Sequence, residues 1–485
     1  MKAPQKYGNY MGGQWKEPST GAYFKNINPA DHEDLVGEYP LSAEADVEEA
    51  VQEAQQAFKE WRRLTAEERN VYLNRLAQLI DQHQDEIGEI ICREEGKTLA
   101  EAKREAVIAV DYIPFVMGEG QRMEGYTLPS PRQGVASVAR RVPLGVIAAI
   151  SPWNFPFITP IRKIVPALAA GNTVVFKPSN ETPHSGVQLM KMIHEAGFPK
   201  GVVNMVIGSG SDIGDALSAH PLVKGITFTG STEVGQHIHQ QAAKHLATVQ
   251  LEMGGKNPAV VAESNDLKAV ASEIVKSAFS LTGQRCTAIS RLIVLESQAE
   301  ALVKAIKEQM EGIVMGNGKD PEVFTGPLIH KDACQKVLGY IDEAVKQGAQ
   351  IIAGGSRMTG NIYDKGCYVE PTLITNVSRD MRLAREEVFG PVLAVFVATT
   401  FEEAMEMAND TEYGLAASIF TDNPAYMGKF LEQIEAGMAH VNHGTTTDPT
   451  MPFGGVKNSY LGPFSKGFTN KDFFTTWKVT YTKYF

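Results

Sequence analysis

Two successive series of short apolar runs, each alternating with helix-length segments, constrain this chain more than any other feature. From Gly145 onward GVIAAI, NTVVFKP, GVVNMV and GITFTG have strand length and end at proline, glycine or a polar turn. Such runs, buried on both faces and separated by helices, read as βαβ units of a parallel sheet. A second series follows Gly254 and Gly255: NPAVVA, RLIVL, VLAVFV, AASIF and MAHVN, separated by amphipathic stretches such as 297–312. The pattern therefore predicts two α/β domains. The first third reads as helical, because Val47, Val51, Ala54 and Phe58 recur at helix spacing and Thr65 with Glu68 forms a capping box before Leu73, Leu76 and Ile80. VASVARRV near 135–142 and TTWKVTYTKY at the C-terminal end alternate β-branched and basic residues, as exposed strands do. Edges of that kind pair with something, often another subunit.

Composition narrows the function classes. A chain of 485 residues that is 43% hydrophobic can bury the cores of two or three domains. Its formal charge of −11 is spread without a basic stripe, which argues against nucleic acid and anionic membrane as partners and leaves small polar or anionic molecules. The N-terminal MKAPQKYGNYMGGQW lacks the apolar core of a signal peptide, and no apolar run approaches membrane-spanning length. Cys92, Cys286, Cys334 and Cys367 lie far apart with no CxxC, so neither a zinc set nor a disulfide framework is expected. Free thiols suit a reducing compartment, and the expected location is the cytoplasm. The eleven histidines contain no HExxH, and no metal is expected.

Several motifs fail on spacing. Gly96-Lys97-Thr98 looks like the end of a phosphate-binding P-loop, but the glycine required five residues earlier is Ile91. No GxSxG elbow is present, against a serine hydrolase. Gly208-Ser209-Gly210-Ser211-Asp212-Ile213-Gly214 misses the dinucleotide fingerprint by one place. It follows a strand and can open a helix, so both a cofactor-facing turn at Gly208 and a plain turn stand.

Three segments carry chemistry. Thr282-Gly283-Gln284-Arg285-Cys286-Thr287-Ala288 sets a thiol in a small-residue stretch beside a cation, which favours the thiolate; a lone cysteine is otherwise a buried hydrophobe. Thr248-Val249-Gln250-Leu251-Glu252 ends an apolar strand on a carboxylate just before Gly254-Gly255. Partial desolvation there suits Glu252 to take a proton from water, although a solvated strand end is the plain alternative. In Ser151-Pro152-Trp153-Asn154-Phe155-Pro156 two prolines shape a loop that can present the Asn154 amide as an oxyanion donor, walled by Trp153 and Phe155.

Taken with PALAAGNTVVFKP, FTGSTEVG, LEMGGKNP, GQRCTA, EEVFGP and PFGGVK, in order over essentially the whole chain, these segments resemble the aldehyde dehydrogenase superfamily. The resemblance implies an α/β fold of that family: an NAD(P)-binding domain over 1–120 and 144–253, a catalytic domain over 254–455, and a small β arm with the C-terminal tail over 121–143 and 456–485. It implies oxidation of an aldehyde to a carboxylic acid with NAD or NADP, in a homodimer or homotetramer. Cys286 matches the nucleophile, Glu252 the general base, Asn154 and the Cys286 backbone N–H the oxyanion hole, and Lys163 a lysine linked to proton relay. Lys177 and Glu387 match residues holding the cofactor's ribose hydroxyls. Gly230 and Ser231 match the turn meeting the pyrophosphate, Trp153 lies beside the cofactor, and Phe389 matches a residue packing near the nicotinamide ribose.

Departures from the family pattern qualify the reading. Where the family has Arg-Glu-x-Gly, this chain has Phe464-Ser465-Lys466-Gly467, so Ser465 replaces the glutamate often paired with the relay lysine. Asn180 occupies the place of a glutamate that holds the ribose 2′-hydroxyl in NAD-preferring relatives, which predicts that NADP is accepted beside NAD with help from Lys177 and Ser179. Glu181 is the nearest obstacle. Phe155, Arg162, Arg285 and Thr287 are the candidate substrate contacts. Arg162 matches an arginine of semialdehyde-oxidising relatives, implying succinate or ketoglutarate semialdehyde, while aromatic-aldehyde relatives also carry arginine there. The second basic group of some succinate semialdehyde relatives falls near Ser280. The tail from Tyr460 is similar to the ketoglutarate semialdehyde branch, from which Phe464 and Ser465 depart. A coenzyme A-acylating dehydrogenase and a non-catalytic relative are the alternatives.

Overall fold

The computed structural model describes residues 5–484; residues 1–4 and 485, the ends of the expected cofactor domain and tail, lie outside the described residues. Every apolar run singled out above is a strand. The first series forms the middle of an eight-stranded sheet. Val203–Met205, Thr173–Lys177, Val146–Ile150, Val223–Thr229 and Thr248–Glu252 run parallel in that spatial order. The second series forms a seven-stranded sheet with Asn257–Val261 and Ile289–Leu295 at its centre. Helices cover both faces of the first sheet, and the residue alternation says how. Ile147, Ala149, Val174 and Phe176 pack with the helices Ala66–Gln82, Leu99–Gln121 and Ile158–Ala169. Val146, Ala148, Ile150 and Val175 pack with Glu44–Trp61 and Gly210–Ser218 on the other face. Each fully buried Val or Ile contributes roughly 1.5–3 kcal/mol. Continuous apolar strands are what this two-sided burial requires.

The helical reading of the first third holds from Glu44 onward, capping box included. It missed four short strands ahead of it: Asn9–Met11, Gln14–Lys16, Tyr23–Ile27 and Leu35–Pro40. Asn9–Met11 is only three residues long and pairs antiparallel with the edge of the parallel sheet, so no period-two pattern could develop. The two basic alternating segments are strands, Val135–Pro143 and Thr475–Lys483, and they pair with each other over nine residues in a three-stranded arm completed by Gly125–Pro129. No helix among the described residues is long and apolar enough to cross a membrane.

Parallel register brings the working residues to one edge. Ile150 lies opposite Lys177 and Thr229 opposite Glu252, so the loops leaving all four strands emerge together at the carboxyl ends. In open α/β sheets that is where ligands bind.

Candidate active site

Cys286 follows a turn in which Leu281, Thr282 and Gly283 all take left-handed backbone, with φ of 56°, 55° and 67°. For the two non-glycine residues that costs roughly 1–2 kcal/mol each. Neighbouring segments hold the strained turn. Thr282 N–H donates to Thr325 Oγ1 at 2.7 Å and Thr282 Oγ1 to the Gly326 carbonyl at 2.8 Å. Ile329 N–H donates to Gln284 Oε1 at 3.0 Å. The Cys286 thiol points toward Glu252, with Sγ 3.8 Å from Oε1, while Glu252 Oε2 lies 3.4 Å from the Thr229 hydroxyl. Asn154 is buried, and its Nδ2 donates to the Gln284 carbonyl at 2.9 Å, two residues before the thiol, leaving its second N–H open. The double glycine permits close approach. A Cβ on Gly255 would come within 2.6 Å of the Cys286 carbonyl, and one on Gly254 would collide with the Glu387 carboxylate.

The expected acidifying effect of Arg285 is outweighed. Burial first, then the Glu252 and Glu387 carboxylates, push the Cys286 thiol well above its ordinary range, and Arg285 only offsets part of this. The Arg285 guanidinium is also committed elsewhere, donating to the Ser277 carbonyl at 2.6 Å. Burial and these carboxylates therefore favour the thiol form of Cys286, with Glu252 Oε1 3.8 Å from its sulfur.

A cleft of different character opens along the same strand ends. Lys177 is buried, its ammonium among the described residues reaches only the Pro178 carbonyl at 3.3 Å, and burial pulls it down to about 8. Glu387 accepts from Gly255 N–H at 2.9 Å, and burial pushes it up to about 7. Gly208 and Ser209 do form a turn between a strand and a helix, and Ser209 caps that helix. Asn180 faces this segment, and the amide orientation that satisfies both neighbours has it donate to the Gly208 carbonyl at 2.7 Å and accept from Ser209 N–H at 3.3 Å; Ser179 Oγ accepts from Glu181 N–H at 3.3 Å. Gly230 leads into Ser231, the N-cap of the helix Thr232–Ala243. Trp153 and Phe389 meet edge to face with ring centroids 5.4 Å apart, Phe389 in left-handed backbone. A buried ammonium short of partners, a carboxylate with one oxygen free and a helix N-terminus fit the ribose hydroxyls and phosphates of a dinucleotide.

The sequence profile of the aldehyde dehydrogenase family matches residues 15–480. The chain belongs to that family. It is 41% identical over 478 residues to the alpha-ketoglutaric semialdehyde dehydrogenase of Bacillus subtilis (strain 168), covering 98% of each chain. It superposes on a solved 3,6-anhydro-L-galactose dehydrogenase in complex with NADP with a TM-score of 0.96 at 34% identity, covering 98% of this chain and 100% of that one. It also matches a betaine aldehyde dehydrogenase of Staphylococcus aureus in complex with NAD+ with a TM-score of 0.96 at 31% identity, covering 98% and 94%. The protein is an aldehyde-oxidising enzyme of the family fold.

In this aldehyde dehydrogenase Lys163 is buried and donates to Thr227 Oγ1 at 3.1 Å, which donates to Gln250 Oε1 at 2.9 Å. Burial pulls Lys163 down to about 8, opposed in part by Glu252. Ser465 turns its hydroxyl to the Phe453 carbonyl at 3.1 Å, and the groups bonded in sequence from Lys163 are a hydroxyl and an amide, with no carboxylate at ion-pair distance among the described residues. Arg162 forms no ion pair among the described residues, and its Nε is buried without a partner. Phe155 lies under the Lys97 ammonium at 4.5 Å, and the Thr287 carbonyl accepts from Thr445 Oγ1 at 2.5 Å.

Sequence reasoning missed three supports. Lys97, rejected as a P-loop lysine, donates to the Asn154 carbonyl at 2.5 Å and to Glu105 Oε1 at 2.7 Å. Burial alone would lower its pKa, but Glu105 and Glu95 hold it above the ordinary lysine range. Ser459 clamps the double glycine through Gly254 O at 2.7 Å, and Tyr460 pairs with Glu252 as an added antiparallel strand. The only sequence signal for Lys97 is a charged residue next to a helix-ending glycine, which any surface turn also carries.

Proposed function

We propose that this enzyme oxidises carboxylated semialdehydes to dicarboxylic acids through a thioester on Cys286, and the observation that carries it is the Cys286–Glu252 approach of 3.8 Å beside the Asn154 amide. The Cys286 thiol gives up its proton to solvent as Sγ adds to the aldehyde carbon, which leaves Glu252 free to take a proton in the later hydrolytic step. The developing oxyanion meets Asn154 Nδ2 and the Cys286 backbone N–H, whose hold strengthens as charge grows. NAD or NADP, held by Lys177, Glu387, Ser179, Asn180, Gly208, Gly230, Ser231, Trp153 and Phe389, supplies the hydride acceptor when bound. Glu252 then deprotonates the water that hydrolyses the thioester, so the product is the free acid and not a coenzyme A ester. Lys163 acts on Glu252 by charge; its hydrogen bonds run to Thr227 and on to Gln250, and among the described residues none of them reaches Glu252. Acid formation without coenzyme A, assayed over an aldehyde panel, tests this reading, and a strict coenzyme A requirement overturns it.

NADP is expected to serve beside NAD. Asn180 is neutral, so it does not repel a 2′-phosphate, and the Lys177 ammonium is available to it. Burial pushes the Glu181 carboxyl up, which weakens the nearest source of repulsion. Complete failure of NADP at saturating aldehyde would remove this reading.

Arg162 supports the substrate class. A buried guanidinium without an internal ion pair is costly unless an anion arrives, and a substrate carboxylate supplies one in bidentate geometry. The semialdehyde named for the Bacillus subtilis relative has such a carboxylate. Phe155 and Thr287 wall the approach, and Arg285, anchored to Ser277, supports the nucleophile's loop. Arg162→Ala is expected to lower the kcat/KM ratio of semialdehyde to neutral aldehyde by about tenfold or more. Equal losses for both substrates would refute the clamp.

The boundaries 1–120 with 144–253, 254–455, and 121–143 with 456–485 are proposed as the two α/β domains and the arm. The arm exposes Tyr126, Leu128, Trp477, Val479 and Tyr481, an apolar surface that supports a homodimer or homotetramer. The four cysteines are all free, in keeping with a reducing cytoplasm.

A further inference from the structure

Lys466 stands in the place of the variable residue of the family's Arg-Glu-x-Gly turn. It is 1% exposed, although a lysine is almost never fully buried unless paired. Among the described residues its ammonium has only neutral acceptors at long range, Thr447 Oγ1 at 3.2 Å and the Asp448 carbonyl at 3.4 Å. Its hydrogen-bond partners are these two neutral oxygens, it forms no ion pair among the described residues, and Asp448 is exposed. The ammonium lies 4.7 Å over the Phe453 ring, and Phe453 belongs to the small apolar cluster that packs against Cys286. Its backbone is held at φ 61° and ψ −177°, a region essentially reserved for glycine, by the Phe453–Ser465 bridge on one side and a tight Gly467 on the other. A strained backbone and a buried lysine amine with no carboxylate at ion-pair distance among the described residues, at one residue beside Cys286, form a constellation that packing alone does not favour.

Resting on the semialdehyde reading above, we propose that Lys466 is a second cation that receives the substrate's far carboxylate together with Arg162. The Arg162 guanidinium acts on the Lys466 ammonium electrostatically, as do Glu252, Cys286 and, last in size, the exposed Asp448, so these groups belong to one neighbourhood. Burial and then the Arg162 charge pull the Lys466 ammonium well below the ordinary lysine range. An incoming carboxylate offsets both, neutralising the mutual repulsion of the two cations and replacing lost hydration. A neutral aldehyde offsets neither. The pair thus selects by charge at the end of the substrate remote from the reacting carbon, and it does so with a residue from the C-terminal tail where some relatives draw a second basic group from the segment near Ser280.

The test compares two variants of the full-length enzyme. Lys466→Met keeps the buried stem, and Lys466→Gly suits the left-handed backbone, so both are unlike in fold risk but alike in lacking the charge. Each is assayed with 2,5-dioxopentanoate, succinate semialdehyde and pentanal. The kcat/KM ratio of the preferred semialdehyde acid to pentanal is expected to fall about tenfold or more in both, chiefly through a higher KM for the acid. A parental enzyme that prefers the acid, with the ratio preserved in either folded variant, overturns the role of Lys466 and leaves the semialdehyde reading standing. A parental enzyme with no preference for either acid over pentanal overturns both.

Discussion

Cys286→Ala is expected to abolish aldehyde oxidation, by on the order of 10⁴-fold or more, because removing a covalent nucleophile leaves only binding and the oxyanion donors. Glu252→Gln is expected to behave differently. The amide cannot take a proton from water, so one hydride transfer proceeds and the thioester then persists, with steady turnover lower by about 10²–10⁴-fold. Rapid mixing with aldehyde and NAD distinguishes the two: a burst of reduced cofactor near one per site survives in the glutamine variant and is absent from the alanine variant. Steady turnover at the parental rate in Glu252→Gln would show that another group is the base. The same variant reads the electrostatics of the thiol. Glu252 is one of the carboxylates that raise Cys286, so its neutralisation is expected to move alkylation of Cys286 by iodoacetamide to lower pH.

Asn154→Ala is expected to lower kcat by about 10²–10³-fold with little change in KM, the effect of losing one preorganised oxyanion donor. The reason lies in how firmly the side chain is held. Lys97 fixes its backbone carbonyl and Gln284 its amide, so Asn154 reaches the reacting oxygen without reorganising. The substitution also strips a partner from the buried Gln284 carbonyl, at about 1–3 kcal/mol, which a fall in thermal midpoint reads separately from the kinetics. A loss confined to KM, with kcat intact, would mean that Asn154 binds substrate and transition state equally and is no oxyanion donor.

The two predictions probe residues that reach one point from distant parts of the chain. Asn154 leaves the strand Val146–Ile150, Glu252 ends Thr248–Glu252, and Cys286 sits just before Ile289–Leu295 in the other sheet. The first two are brought together by parallel register, and the third by the glycine pair that lets its loop close against the strand end.

The sequence by itself determined the parallel strands of the first sheet, five strands of the second, the capped helices, the pairing tendency of the two basic alternating segments and the candidates for nucleophile, base and oxyanion amide. These are local or motif-borne features. A strand buried on both faces must be a continuous apolar run, and a helix start must satisfy its orphan N–H groups, so each leaves its mark within a few residues. Tertiary structure alone decided the rest. The strands Asn9–Met11 and Tyr460–Leu461 exist because an unpaired sheet edge offers them partners, not because two or three residues carry a periodicity. Beside Arg285, Cys286 reads as an activated thiol, but its titration is set by burial and by carboxylates 34 and 101 positions away in the chain. Nothing in the sequence around Lys97 and Lys466 marks them as buried, yet both are, because desolvation depends on what the whole fold lays over a side chain and no neighbouring residue in the sequence encodes it.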